Sequence, residues 1–234
     1  MLKIRIKFTK TGDLKYIGHL DVMRFFQKLF MRANMPVAFS EGFSPHQLLS
    51  FSPPLALGAQ SLGEYADVIM TDSVPSSEAV KRLNDQSVDG IKIISYKELP
   101  EKAENAMAAV RAAAYEITLK ESESLGLNLC KEFEELMSQD TIIVTKNTKK
   151  TSADLDLKPL IYEYDIDYEH NSVYVTLSAG SINHVKPELL ISSIFDKNCI
   201  AMPDNALEVL RRDLYTFDYN DNKLISLDEV GTDT

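Results

Sequence analysis

Residues 2–36, LKIRIKFTKTGDLKYIGHLDVMRFFQKLFMRANMP, spell out a strand, a turn and a helix in succession. Residues 3–10 alternate strictly, with Ile4, Ile6 and Phe8 on one face and Lys3, Arg5 and Lys7 on the other, the period of a half-buried strand. Thr11, Gly12 and Asp13 turn the chain. From Leu20 onward the apolar residues fall at positions 20, 23, 26, 29, 30 and 33, a helical stripe, while Arg24, Lys28 and Arg32 stack at four-residue spacing on another face. Gly18 or His19 takes the N-cap region, Asp21 suits the positive end of the helix dipole, and Asn34 and Pro36 stop the helix.

Working outward, residues 36–40 and 47–51 read as short strands, and residues 64–71 alternate Ala66, Val68 and Met70 against Tyr65, Asp67 and Ile69. Ser76 is placed to cap a second helix, and residues 91–99 form a closing strand after the Asp89-Gly90 turn. The order β-α-β-β-α-β, with helices on one face of an antiparallel sheet, is the ferredoxin-like arrangement. Residues 101–113 read as a connector, after which the order recurs. A strand at 115–120, a helix at 126–137, a strand at 141–146, a hairpin of 160–169 with 172–179, a helix opened by Pro187 and a strand at 207–217 complete it. The expectation is an α+β chain of two tandem ferredoxin-like (βαββαβ) modules, 1–100 and 114–217, followed by a flexible acidic tail at 218–234.

The 234 residues carry a net charge of −10, which taken alone disfavours a polyanionic partner. The average hides a polarity, because residues 1–50 hold eight Lys/Arg against three acids, leaving a net −15 on residues 51–234. No apolar run approaches the roughly 18 residues of a membrane span, and the alternating N-terminus is not a signal-peptide core, so a cytoplasmic protein without membrane attachment is expected. Cys130 and Cys199 lie far apart outside any cluster-binding spacing, so the chain is expected to hold no iron–sulfur cluster, and both are expected to pack in the core.

His19, at the junction of the first strand and helix, can meet an anion or relay a proton, or simply cap the helix or bond Asp21. His46, in GFSPH, is presented by a turn that Gly42 permits and Pro45 stiffens, and either pairs with His19 or bonds a loop carbonyl. A metal would need further ligands that no spacing supplies, so none is expected. No nucleophile elbow, Walker loop or dinucleotide fingerprint is present. Phosphate-backbone binding fits the N-terminal module best, through Lys3, Arg5 and Lys7 from the sheet and Arg24, Lys28 and Arg32 from the helix, although a solvated surface explains each set separately. Phe39, Phe43 and Phe51 could stack on bases or pack over the sheet edge. Lys146, Lys149 and Lys150 form a smaller basic loop, read either as solvated or as a nucleic-acid arm.

Four segments carry a resemblance: RIKFTKTGDLKYI, HLDVMR, PVAFSEGFSPH, and the PLALG and SLGEYADV runs. Together they resemble the bacterial radical SAM-linked proteins, a family of unknown function, strongly over residues 2–70 and more loosely beyond, including Asp154-Leu155-Asp156 and Arg211-Arg212-Asp213-Leu214-Tyr215. The positions carrying the motif are His19, Asp21, Arg24, Gly42, Phe43, Pro45, His46, Gly58, Gly63 and Glu64, none with a catalytic role in the family. Gly18 stands where the family usually has Ser, which removes a side-chain cap. The resemblance implies that the iron–sulfur cluster and S-adenosylmethionine belong to a radical SAM partner protein. The expected function is an RNA-binding accessory or specificity protein presenting transfer or ribosomal RNA to that partner. Two alternatives stand beside it: an RNA-processing or modifying enzyme using His19 and His46, and a docking module for the radical SAM enzyme without RNA contact.

Overall fold

The computed structural model describes residues 1–120, 125–147, 152–180 and 183–234. In chain order the elements are β1 (Leu2–Lys10), a 3-10 turn (Gly12–Tyr16), α1 (His19–Arg32), β2 (Leu49–Phe51), β3 (Gln60–Met70), α2 (Ser76–Asp85), β4 (Ile93–Glu98), α3 (Ala106–Ala109) and β5 (Ala112–Leu119). There follow α4 (Leu129–Met137), β6 (Ile143–Asn147), β7 (Ser152–Asp156), β8 (Ile161–Asp167), β9 (Ser172–Ser178), α5 (Pro187–Lys197), β10 (Leu207–Asp218), β11 (Lys223–Ser226) and a 3-10 turn (Leu227–Val230). The class is α+β with mostly antiparallel strand pairing. Two compact units result, one of Met1–Arg111 with Arg211–Thr234 and the other of Ala112–Leu210.

In the first unit the strands run β4-β1-β3, with both β2 and β10 against β3 and β11 against β10. Ile4, Ile6 and Phe8 of β1 and Ala66, Val68 and Met70 of β3 are buried in one core with Phe26, Leu29 and Phe30 of α1 and Ala79 and Leu83 of α2. Phe26 is its centre, with ring centroids 4.5 Å from Phe8, 5.4 Å from Phe51 and 5.9 Å from Phe30. The stripe read from sequence therefore faces the sheet, except that Leu20, one turn early, is 63% exposed.

The opposite face of β1 departs from expectation. Arg5 is 1% exposed, and Lys7 is half-buried, where a solvated basic face was anticipated. The reason is a second covering layer made by residues 104–109 and the returning C-terminal chain. Arg5 stands opposite Asp67 in the β1–β3 register and pairs with it through two bonds of 2.8 and 3.0 Å. Arg5 also donates to the Glu104 carbonyl, and Asp67 accepts from the Ala106 amide. Lys7 pairs with Asp213 at 2.7 Å, and the Tyr65 hydroxyl donates to the same carboxylate. Burial, followed by the Asp213 charge, pushes the Tyr65 hydroxyl well above its ordinary pKa. Gly63 is required where β3 meets β10, since a Cβ there would stand 2.8 Å from the Asp213 Cα and 2.9 Å from the Arg212 carbonyl.

Residues 218–234, expected to be a flexible tail, are folded into this unit. β11 pairs with β10, a capping box joins Ser226 and Glu229, Leu227 is fully buried, and Thr232 bridges Glu98. Acidity did not prevent this, because Asp228 finds Lys97 at 3.1 Å. Residues 106–109 of the expected connector likewise belong to the cover, as a single helical turn capped by Asn105.

The second unit orders its strands β5-β9-β8, with the start of β10 beside β5. Phe133 of α4 and Leu190, Ile191 and Phe195 of α5 are buried in this unit together with Ile117, Val173 and Val175 of its strands. The strand expected at 141–146 does not enter that sheet. β6 pairs with β7 as a separate two-stranded ribbon, whose Thr145 hydroxyl donates to Asp154, while β8 pairs with β9 as the expected hairpin. Cys130 is buried, with its thiol against the Asp167 carbonyl, but Cys199 is exposed in a left-handed turn (φ 54°) after α5 and does not pack as expected. Among the described residues no helix is long and apolar enough to cross a membrane.

Asp67→Ala strands a buried guanidinium and is expected to cost about 3–5 kcal/mol, whereas the paired change Arg5→Met with Asp67→Leu is expected to recover most of that loss. Urea denaturation of the three proteins measures both quantities, and a single-variant cost below about 1 kcal/mol would show that the pair is solvated.

Candidate functional site

The motif residues gather on the β1–α1 side of the first unit. α1 starts at His19 with Gly18 as N-cap and no side-chain capping bond. This places the half-buried imidazole edge-on to Phe51, with centroids 5.6 Å apart. A cleft opens here between Phe8, Lys10, His19, Val22, Phe51, Ser52, Leu55 and Glu64. Its cavity volume is about 20 Å3, the order of a single water molecule.

Each polar wall of the cleft is held in place. Lys10, 4% exposed, donates to the Ile17 carbonyl at 2.9 Å and the Lys15 carbonyl at 3.5 Å, fixing the entry into α1. Burial pulls its ammonium below the usual lysine range, with Glu64 opposing and Arg211 adding to the fall. Glu64 is held by Arg211 through two bonds of 2.8 and 2.9 Å, and Arg211 also reaches the Pro53 carbonyl. The Ser52 hydroxyl accepts from the Tyr65 amide. Lys10, Ser52 and Arg211 were not singled out for this role from sequence. Only the Arg211-Arg212-Asp213 run signalled the last of them, whereas the strand period already sets Lys10 on the face of Ile4, Ile6 and Phe8, where it is buried.

His46 does not line this cleft. Its Nδ1 shares a 2.8 Å hydrogen bond with the Ser40 hydroxyl across an exposed hairpin that is closed by the Phe39–Gln47 bridge and the Ser40 amide to His46 carbonyl bond. Gly42 at φ 109° turns the tip, where residues 41–46 are all exposed and Phe43 is completely so. The Gln47 side-chain amide donates to the Gln27 carbonyl, clamping the hairpin to the flank of α1.

That clamp holds the hairpin beside the exposed side of α1. By helical geometry Leu20, Arg24, Lys28 and Met31 share the side of α1 that points away from the sheet. Leu20 and Met31 are 63% and 68% exposed, and Phe39 on the hairpin is 53% exposed. Arg24 pairs with Asp21 at 3.2 Å in full solvent, an interaction worth little. Arg32 turns to the other flank, donating to the Gln86 carbonyl. Of the six cations proposed as one phosphate-binding set, Arg5 and Lys7 are therefore consumed by buried pairs, Lys3 donates to the Ala103 carbonyl, and Arg24 and Lys28 remain on the exposed face of α1.

A larger hollow of about 410 Å3 lies among Arg5, Glu104, Phe217, Asp218, Tyr219 and Glu229 on the covered side of the sheet. Its charges are already committed: Arg5 to Asp67, Glu104 to Arg111, and Asp218 to the Asn220 amide. Among the described residues no three His, Cys, Asp or Glu side chains group as a metal site. Lys149 and Lys150 lie outside the described residues, and Lys146 is in β6.

Residues 3–187 match the family model described as an uncharacterized protein conserved in bacteria (DUF2344). The chain belongs to this family. No curated protein matches the chain. Arg211 and Asp213, which hold Glu64 and Lys7, lie beyond the matched span, whereas every residue lining the cleft lies within it.

Because the folded chain binds the Lys10 proton less tightly than the unfolded chain does, charged Lys10 subtracts from stability, and this penalty fades as pH rises through its lowered pKa toward 10.5. The native protein is thus expected to gain stability relative to Lys10→Met between neutral pH and pH 10.5. Urea titrations across that range read the difference, and a pH-independent gap between the two proteins would contradict it.

Proposed function

We propose that this protein is an accessory subunit that docks a partner enzyme through the outer face of α1 and the 39–47 hairpin, the partner being the radical SAM enzyme implied by the sequence resemblance. The observation that carries this reading is the cluster of exposed Leu20, Met31, Phe39 and Phe43 on two elements clamped together. Exposed apolar side chains of this number mark interfaces, and Met, aromatic residues and Arg are the types enriched there. The cleft beneath, at about 20 Å3, has room for about one water molecule. On the sequence resemblance, the iron–sulfur cluster and S-adenosylmethionine belong to that partner.

RNA contact through the same face is the second reading, favoured by Arg24 and Lys28 beside a fully exposed Phe43. A protein using stacked aromatics and phosphate contacts binds in a strongly salt-dependent way. The strand order in each unit supports a further proposal, that both are ferredoxin-like modules. In the first, β4-β1-β3 with β2 on β3, and in the second, β10-β5-β9-β8, follow one order when the separate β6–β7 ribbon is left out and the remaining strands are numbered in chain order.

Leu20→Glu, Met31→Glu and Phe43→Ala are each expected to weaken association with the purified radical SAM enzyme by roughly 30-fold where they strike a hot spot, and Arg24→Glu with Lys28→Glu by less. Calorimetric titration measures this, with fluorescence anisotropy on a labelled transfer RNA at low salt in parallel. RNA binding lost on charge reversal, with enzyme binding intact in every variant, would replace the first reading with the second.

A further inference from the structure

β8 ends the sheet of the second unit. It pairs with β9 on one side, and among the described residues no strand pairs its other side. Four consecutive residues, Tyr162, Glu163, Tyr164 and Asp165, are exposed, and Tyr168 follows them. A strand of this length offers roughly 23 Å of main-chain edge, a template for another strand.

Charges on such an edge ordinarily guard it against association, and the carboxylates of Glu163 and Asp165 fit that role. The tyrosines do not, since each adds apolar, π-rich surface where protection would call for none. Two are braced: Tyr164 packs against Phe133 with centroids 5.9 Å apart, and the Tyr168 hydroxyl donates to Glu134 at 2.7 Å. By strand alternation Glu163 and Asp165 share one face and Tyr162 and Tyr164 the other, so a strand paired at this edge meets carboxylates on one face and rings on the other, and cations suit both.

The same charges choose the occupant. A second copy pairing edge to edge would bring the Glu163 and Asp165 carboxylates toward their own counterparts, and like charges across a strand pair are unfavourable. The unit as a whole holds 8 Lys/Arg against 17 Asp/Glu within Ala112–Leu210, which repels polyanions as well. Asp165 currently accepts a 2.9 Å bond from the Ile166 amide. A lysine or arginine that draws this carboxylate away also frees a main-chain donor for the incoming strand.

We propose that the β8 edge docks an extended cationic segment of a partner protein, which adds to the sheet as a further strand. The site is independent of the α1 face and of the reading placed on it.

The test uses the full chain and a capped eight-residue peptide of alternating Lys and Val, beside the same peptide N-methylated at every second residue. Binding by anisotropy, weakened by salt, together with slowed hydrogen exchange of the β8 amides, is expected for the first peptide alone. Glu163→Lys with Asp165→Lys is expected to reduce affinity about tenfold or more. The neutral pair Glu163→Gln with Asp165→Asn keeps the test open should charge reversal perturb folding, and is expected to bind more weakly than the native chain. Equal binding of the N-methylated peptide, absence of binding, or peptide-independent dimerisation that protects β8 would each overturn the proposal.

Discussion

Paired charge sequestered on both faces of the β1–β3 sheet is the constraint on which the first unit depends. Arg5 with Asp67, Lys7 with Asp213 and Glu64 with Arg211 join strands that are distant in sequence. An isolated charge in such a place is prohibitive, so each member obliges its partner to be present. The obligation is topological as well as energetic: two of the three pairs reach residues beyond 210, so the C-terminal chain must return before the N-terminal sheet is complete.

This layer separates stability from surface chemistry. The side of the sheet that is buried under residues 104–109 and the C-terminal return spends its cations internally. The side that carries α1 keeps Arg24 and Lys28 in solvent, with Leu20 and Met31 at either end of them and Phe39 and Phe43 on the adjoining hairpin. Lys10 and the Glu64–Arg211 pair connect the two, since they fix the entry to α1 and the 53–58 loop from below. His19 gains its position from this support and from Phe51, without a hydrogen-bonded catalytic partner such as His46 would have supplied.

Much of the architecture was legible because local periodicity and burial coincide. Ile4, Ile6 and Phe8 face the core as their alternation requires, Gly18 caps α1, and Pro187 opens α5. The misreadings share a cause. Lys3, Arg5 and Lys7 have the same pattern whether their face meets water or a second layer, and only the distant carboxylates distinguish the cases. Likewise β6 has strand character in either sheet, and its pairing with β7 is a matter of register between segments. An acidic stretch such as 218–234 reads as loose until Lys97 and the Leu227 site are found for it.

The sequence by itself determined the elements, the helix faces, the polarity of charge and the motif-bearing segment from His19 to Glu64, because these follow from side-chain spacing along a few turns or strands. Tertiary structure alone decided which cations remain free, that Lys10 and Arg211 stand behind the motif, and that His19 and His46 occupy a cleft and an exposed hairpin respectively. The physical reason is that a charge is defined functionally by its partner, and the partners lie up to 206 residues away along the chain.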